Sequence, residues 1–551
     1  MQTFLSPKNN LNFDGQATPV KTALFLVVCL AWLVPGLTGH TPWKYDEAVS
    51  QGIVFGLTHG EHWLAPTLAG DPYLNHPPLY YWVAALMVRL FSGLLPEHDA
   101  ARLASGLFMA FTMLGVAVGA RSLYGPRAMR ASVLMFIGSV GLVIRAHEMS
   151  SNLAWLTGVT WTLTSIPLSR HKSLLAGITG GLGFGVAFLT HGVWAFGILL
   201  PLVLVLPLTL PDYRPARPAL YVLFWLLAAS PELWFWLWDL HQHDPASFRL
   251  WWATFIHPLT HPALWMSPNA NPLYYFGVIS WFSWPATPLA MATLWNGGRR
   301  GLSTPQTRFC LLSLLIMLVT LGIGSTPREN NALPLLLPLT FLATGGLDQL
   351  KRGAASALDW FGMLTFGIVT ATLWLGWMAQ MTGYPAGIVH YLDAQLPGYQ
   401  ASFQPVIFTG SLLLTLLWLL TMKHARPSAR RALVNWTVGM TVSWMLMMGL
   451  WLPYVEASRS YAGMMYSLSR HIPHSSGCVM GTGLGEPQRG LLYYYLRLRT
   501  EPATATNESR CKLWLVQTTA QTHHPVPSGW HVRWTGARPG DRSERFLLLE
   551  R

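Results

Sequence analysis

GHTPWKYDEAVSQGIVFGLTHGEHWLAPTLAGDPYLNHPPLYYW, residues 39–82, is the stretch on which the reading of this chain turns. It follows a long apolar segment and carries the adjacent acids Asp46 and Glu47 in a protein with only 23 acidic residues. It closes on the run Asn75-His76-Pro77-Pro78-Leu79-Tyr80-Tyr81-Trp82. Charges beside a bilayer are costly unless they have a partner or a task, and Tyr and Trp favour the headgroup level. A carboxylate pair just outside a membrane span, followed by aromatics able to lie in the interface, suits chemistry on a lipid-borne substrate.

The rest of the chain supplies the membrane. Of 551 residues, 52% are apolar and 11% charged, which is too hydrophobic for a soluble globule. Apolar stretches of the length a bilayer demands recur near 20–39, 102–123, 131–146, 151–168, 173–190, 193–210, 217–239, 272–296, 307–325, 331–349, 355–381, 405–422 and 432–454. The net charge of +13 does not point to nucleic acid. Its basic residues fall in short loops, among them Arg121/Arg127/Arg130, Arg170/Lys172, Arg214/Arg217, Arg299/Arg300/Arg308, Lys351/Arg352 and Lys423/Arg426/Arg430/Arg431, as cytoplasmic loops require. A further segment, 79–95, is short and contains Arg89; the charge pattern alternates only if it lies along the outer surface as an amphipathic helix. The polar residues 1–19 are then cytoplasmic, and 20–39 is a retained anchor with no convincing cleavage site. The expectation is a polytopic α-helical membrane protein of about 13 transmembrane helices over 1–454, with an outer first loop at 40–101. A small outer α/β or mostly-β domain follows at 455–551, where short apolar runs alternate with polar turns.

On the outer face Asp46 is the leading catalytic candidate, with Glu47 beside it; the bland alternative makes Asp46 the cap of a helix running from Glu47 to about Leu57. His76 precedes a rigid Pro-Pro turn and can hydrogen-bond a phosphate. Arg328 sits on an outer turn against the charge trend, suited to bidentate phosphate contact or to a salt bridge with Glu329 or another acid. Lys44 and Arg249 are secondary phosphate candidates. His147 and Glu148 face the same side. His241, His243, Asp244, His257 and His261 lack a metal-ligand spacing, so substrate-contact or interface histidines fit better than a metal site. Cys478 and Cys511, in the polar C-terminal part, either pair as a disulfide or remain two buried thiols. The string Met480-Gly-Thr-Gly-Leu-Gly485 is a weak glycine pattern and reads as a turn.

Taken together these residues resemble the GT-C membrane glycosyltransferases, in the bacterial branch related to dolichyl-phosphate-mannose protein mannosyltransferases and lipid A aminoarabinose transferases. The likeness runs through Asp46-Glu47, Trp63-Leu64-Ala65-Pro66, His76-Pro77-Pro78-Leu79-Tyr80-Tyr81-Trp82, Ala101-Arg102-Leu103, Tyr124-Gly125 and Arg328-Glu329-Asn330-Asn331-Ala332-Leu333-Pro334. It implies inverting transfer from a polyprenyl-phosphate sugar donor to a lipid (lipid A-like), glycan or protein acceptor. The protein would be multi-pass in the bacterial inner membrane, with its C-terminal domain in the periplasm. It also implies Asp46 as the main catalytic carboxylate, and Tyr80, Tyr81 and Asn331 among the substrate contacts. The second acid of the family, in a pattern like His-x-Met-x-Thr-Asp, is replaced here: His147-Glu148-Met149-Ser150-Ser151-Asn152 ends on Asn152, with Glu148 about one helical turn away as a substitute. Where aminoarabinose transferases carry Glu-Lys before Pro-Pro, this chain has Asn75-His76. No cofactor is implied with certainty, although a divalent metal fits the class. The rival readings are a transporter or flippase, which would favour paired repeats and midplane charges, and a non-catalytic sugar-lipid binding protein.

Overall fold

The computed structural model describes residues 19–256, 271, 273–324, 327–422, 428–473, 478–519, 526–541 and 543–551. The polar N-terminus, His257, His261, Lys423 and Arg426 lie outside them. Each apolar segment named above is helical over most of its described length. Among the described residues six helices are long and apolar enough to cross a membrane: Glu97–Tyr124, Ser173–His191, Pro218–His243, Pro305–Gly324, Arg352–Thr382 and Ala429–Ser469. Five shorter apolar helices join them. Many large side chains point outward, such as Leu226, Leu227, Trp234 and Phe235 on one helix and Leu413, Leu417 and Leu420 on another. In water such a surface would be a liability; in a bilayer it is the required one.

Without a hydrophobic drive between helices in lipid, close approach comes from small residues. The Ser173–His191 helix, SLLAGITGGLGFGVAFLTH, shows this on two sides. A Cβ on Gly158 of the Ser151–Ser169 helix would meet the Gly183 carbonyl at 2.6 Å, and one on Gly181 would run into the Trp225 carbonyl. Two expected spans are broken. The 131–146 segment divides into Ala128–Ile137 and Val140–Arg145, and the 272–296 segment into Tyr274–Phe282 and Ala286–Leu302. The breaks face one another: Val140 N–H donates to the Trp284 carbonyl at 3.0 Å, satisfying groups that the interrupted helices leave open.

The Leu79–Phe91 helix buries Tyr80, Tyr81, Ala84, Ala85 and Val88 and exposes Leu86 and Leu90. Its burial is thus one-sided, with apolar side chains on the exposed face as well. It also corrects the placement of the tyrosines: Tyr80 and Tyr81 are 0% and 2% exposed, core residues and not an interfacial platform.

The C-terminal sheet has the order β4-β3-β5-β7-β6, built from β3 Val479–Thr482, β4 Thr500–Pro502, β5 Leu513–Thr519, β6 His531–Gly536 and β7 Glu544–Glu550. A two-stranded ribbon, β1 Thr67–Leu68 with β2 Asp71–Pro72, lies in the first loop. β3 is parallel to β4 and β5, whereas β7 runs antiparallel to both β5 and β6. The Glu486–Leu496 helix makes the crossover from β3 to β4. Cys478 and Cys511 form a disulfide at the start of neighbouring strands. The sheet is joined to the membrane part by helix that continues from Ala429–Leu446 through Met447–Trp451 into Leu452–Arg459.

Candidate active site

The helix Asp46–Thr58 carries the leading candidate on its first turn. Its N-cap is Tyr45 and no side chain caps it, so the capping alternative for Asp46 is not taken. The neighbour, Glu47, anchors the helix. It is 3% exposed and accepts from Arg102 Nε at 2.8 Å, Trp43 N–H at 3.0 Å and Met149 N–H at 3.2 Å. Arg102 in turn bonds Asp99 and the Leu37 and His40 carbonyls. Burial opposes ionisation of Glu47, but the Arg102 guanidinium outweighs it and holds the carboxyl below its ordinary value. This closed cluster ties the end of the first helix, the first loop and the turn before Ser151 into one frame. Glu47 is thus walled in, unlike its half-buried neighbour.

Asp46 faces residues that come from far along the chain. Its Oδ2 accepts from Asn330 Nδ2 at 2.6 Å and from Ser150 Oγ at 3.3 Å. The Arg328 guanidinium lies 5.8 Å from the centre of the Tyr45 ring, and Tyr45 OH donates to Glu486 Oε2 at 3.0 Å. Asp46, through Asn330, and Arg328, over the Tyr45 ring, thus belong to one cluster, the candidate hollow. Burial, with help from Glu486, pushes the Tyr45 phenol up to about 12. His76 packs on His191, ring centres 5.0 Å apart, and sits beside the Thr190 carbonyl. Burial lowers its pKa despite the nearby Asp46 charge, so at neutral pH it is a neutral hydrogen-bonding ring, not a fixed cation. Of the salt-bridge alternative for Arg328, the Glu329 pair is not formed, because Glu329 pairs with Arg145 at 3.1 Å.

Other expected residues have settled partners. Arg145 also holds Glu148 at 3.1 Å. Burial raises the Glu148 carboxyl to about 7 in spite of that cation. Asn152 reaches toward Asp46 only through Ser150, donating to its Oγ at 2.8 Å, and accepts from His191 Nε2 at 3.2 Å. Lys44 pairs with Glu544 of β7 at 2.8 Å, so its charge serves the joint with the sheet domain. Tyr80 OH is bonded to Ser105 at 2.8 Å. His147 is buried between the Trp32 and Val143 carbonyls, away from the hollow, and burial lowers its pKa to about 4. Arg249 is exposed and bonds the Pro245 carbonyl of its own helix. Asn331 follows Arg328 on the short helix Glu329–Leu335. His241 rests on Phe248, His243 pairs with Asp239, and Asp244 caps the helix Pro245–Phe255. Among the described residues no group of three or more His, Cys, Asp or Glu could hold a metal ion.

Ser150, Asn330, Tyr45 and Glu486 are the site residues that the sequence did not single out. Ser150 and Asn330 lie inside strings already noted. Glu486 is 440 positions from Asp46, and nothing local marks it.

No family model matches the chain. The undecaprenyl phosphate-α-4-amino-4-deoxy-L-arabinose arabinosyl transferase of Pseudomonas savastanoi pv. phaseolicola is 25% identical over 433 residues, 77% of this chain and 76% of its own length. A second such transferase, from Proteus mirabilis, is 24% identical over 412 residues, 68% and 71% of the two chains. The crystal structure of ArnT from Cupriavidus metallidurans bound to undecaprenyl phosphate superposes with a TM-score of 0.69 at 17% identity, covering 97% of this chain and 98% of that one. This chain has the GT-C fold. At the two positions that the resemblance singles out, this GT-C protein carries the acid Asp46 and the amide Asn152.

Proposed function

We propose that the chain is an inverting glycosyltransferase that moves a sugar from a polyprenyl-phosphate donor to a lipid A-like acceptor at the periplasmic face of the inner membrane. The similarity of its relatives, named as aminoarabinose transferases, supports a pentose as the sugar. The observation that carries the reading is Asp46, held by Asn330 and Ser150 in the hollow that also receives Arg328. The acceptor oxygen attacks the anomeric carbon as the bond to the polyprenyl phosphate breaks on the opposite side, which inverts the centre. Asp46 takes the proton of a hydroxyl acceptor; a phosphate acceptor is already ionised, and Asp46 then orients it. Arg328 neutralises the departing phosphate. Glu47 acts by fixing the Asp46 helix and not by touching substrate. The periplasmic side is supported by the Cys478–Cys511 disulfide, which belongs in an oxidising compartment.

Purified protein in lipid discs, given a polyprenyl-phosphate pentose and lipid A, should form glycosylated product. With a hydroxyl acceptor Asp46→Asn should lower turnover about 100-fold or more. Turnover equal to wild type in that variant would remove the assignment. A second reading, donor binding without transfer, is favoured only by Asn152 in place of an acid; donor binding with no product across lipid, glycan and peptide acceptors would establish it.

A further inference from the structure

We infer that Ser150 and Asn152 are positioning residues that aim one hydroxyl proton at Asp46, so that this chain sustains its catalytic carboxylate with neutral donors where a second acid is expected. The inference rests on the role proposed for Asp46. Its warrant is the direction of the hydrogen bonds. A serine hydroxyl has one hydrogen and two lone pairs. Ser150 Oγ accepts from Asn152 N–H at 3.3 Å, as N-cap of the Ser151–Ser169 helix, and from Asn152 Nδ2 at 2.8 Å. Both lone pairs are then used, and the hydrogen points to Asp46 Oδ2 at 3.3 Å.

The Asn152 amide is itself oriented from behind. Its Oδ1 faces His191 Nε2 at 3.2 Å, and the His191 ring is stacked on Trp155 with centres 4.9 Å apart. A carboxylate at 46 can only accept, so the order His191 to Asn152 to Ser150 to Asp46 is the one in which each of these contacts pairs a donor with an acceptor. Asn330 Nδ2 adds a second neutral donor to the same Oδ2. Among the described residues no protein group donates to Oδ1, which leaves that oxygen for the acceptor.

A carboxylate at 152 would reverse this. It cannot donate to Ser150, so it would draw the hydroxyl hydrogen away from Asp46, and it would add a like charge nearby. Both effects favour protonated Asp46. The other titratable groups that feel Asp46 are Tyr45, Tyr73, His76 and Tyr81 of the first loop and surface helix, and Glu148 of the adjoining turn. Arg328 and Glu486 meet Tyr45 from the other two elements, and His191 stands behind Asn152. Of these only His191 touches residue 152, where a carboxylate would favour its charged form; Ser150→Ala and Ser150→Thr leave that contact as it is.

The test is the pH dependence of kcat/KM for transfer to a hydroxyl acceptor, in wild type, Asn152→Asp, Ser150→Ala and Ser150→Thr. The acidic limb should move upward by about one pH unit or more in Asn152→Asp. It should move the same way by less in Ser150→Ala and return in Ser150→Thr, with donor KM within about twofold throughout. An active wild type, a silent Asp46→Asn and an unmoved acidic limb in Asn152→Asp would overturn the inference and leave the glycosyltransferase reading intact. Wild type without transfer would instead defeat that reading itself. A shifted donor KM with an unmoved limb would make Asn152 a substrate contact and also overturn it.

Discussion

At the scale of single residues, the first-loop acids divide by environment and not by chemistry. Asp46 and Glu47 are the same functional group one position apart, yet a helix turns successive side chains by about 100°. One therefore enters the hollow and the other the Arg102 cluster. No sequence pattern separates them, because the guanidinium that captures Glu47 lies on another helix. Glu148 shows a third environment. Its carboxyl, raised by burial from 4.5 to about 7, binds its proton more tightly in the folded protein than in the unfolded chain. Its contribution to stability is therefore present at low pH and is lost as the pH rises through that interval. In Glu148→Gln the thermal midpoint should lose this dependence, so that its fall between about pH 5 and pH 7.5 flattens relative to wild type. Thermal scans in detergent across that range would check it; parallel wild-type and variant curves would mean that Glu148 does not titrate there.

At the scale of elements, the decisive contact is between the helix that carries Asp46 and the crossover helix of the C-terminal sheet. They meet at two glycines: a Cβ on Gly52 would lie 2.6 Å from the Gly490 Cα, and one on Gly490 would lie 2.5 Å from the Ala48 carbonyl oxygen. Both obstacles are backbone, so neither can turn aside. Gly490→Ala should force the helices apart, at a cost of about 1–3 kcal/mol, and should lower turnover because Ala48 is two residues from Asp46. Chemical denaturation and a transfer assay on the same preparation would read both; wild-type values in each would show that the approach is not needed. This contact was invisible in the sequence, as was the Glu486–Tyr45 bond, because each joins positions more than 400 residues apart. The helices themselves were legible, since hydrophobic length is set by the bilayer and not by partners. The outward face of Leu79–Phe91 was legible for the same reason, whereas the burial of Tyr80 and Tyr81 depended on Ser105 and the helix behind them.

At the scale of the molecule, the sheet domain is not an appendage. Lys44 is bound to Glu544, Tyr45 to Glu486, Trp43 to Glu456 and Glu61 to Arg499, so residues on both sides of Asp46 are held by the last hundred residues. Glu544 also collects Tyr461, Gln488 and Gln517, which makes it the pivot on which the first loop meets the sheet. The integrity of the sheet should therefore govern the chemistry in the hollow. The Cys478–Cys511 disulfide closes a sequence separation of 33 and pins β3 to the lead-in of β5, whose Thr519 pairs with Glu544 of β7. Replacing both cysteines by serine should destabilise the sheet by about 2–5 kcal/mol. Proteolysis within the C-terminal hundred residues should then become faster, and transfer should fall in step with it, while the membrane helices remain protected. A variant cleaved in the sheet that still transfers sugar at the wild-type rate would show that the hollow stands on the membrane helices alone. Loss of both properties together would place the sheet among the parts that hold Asp46 against its substrate.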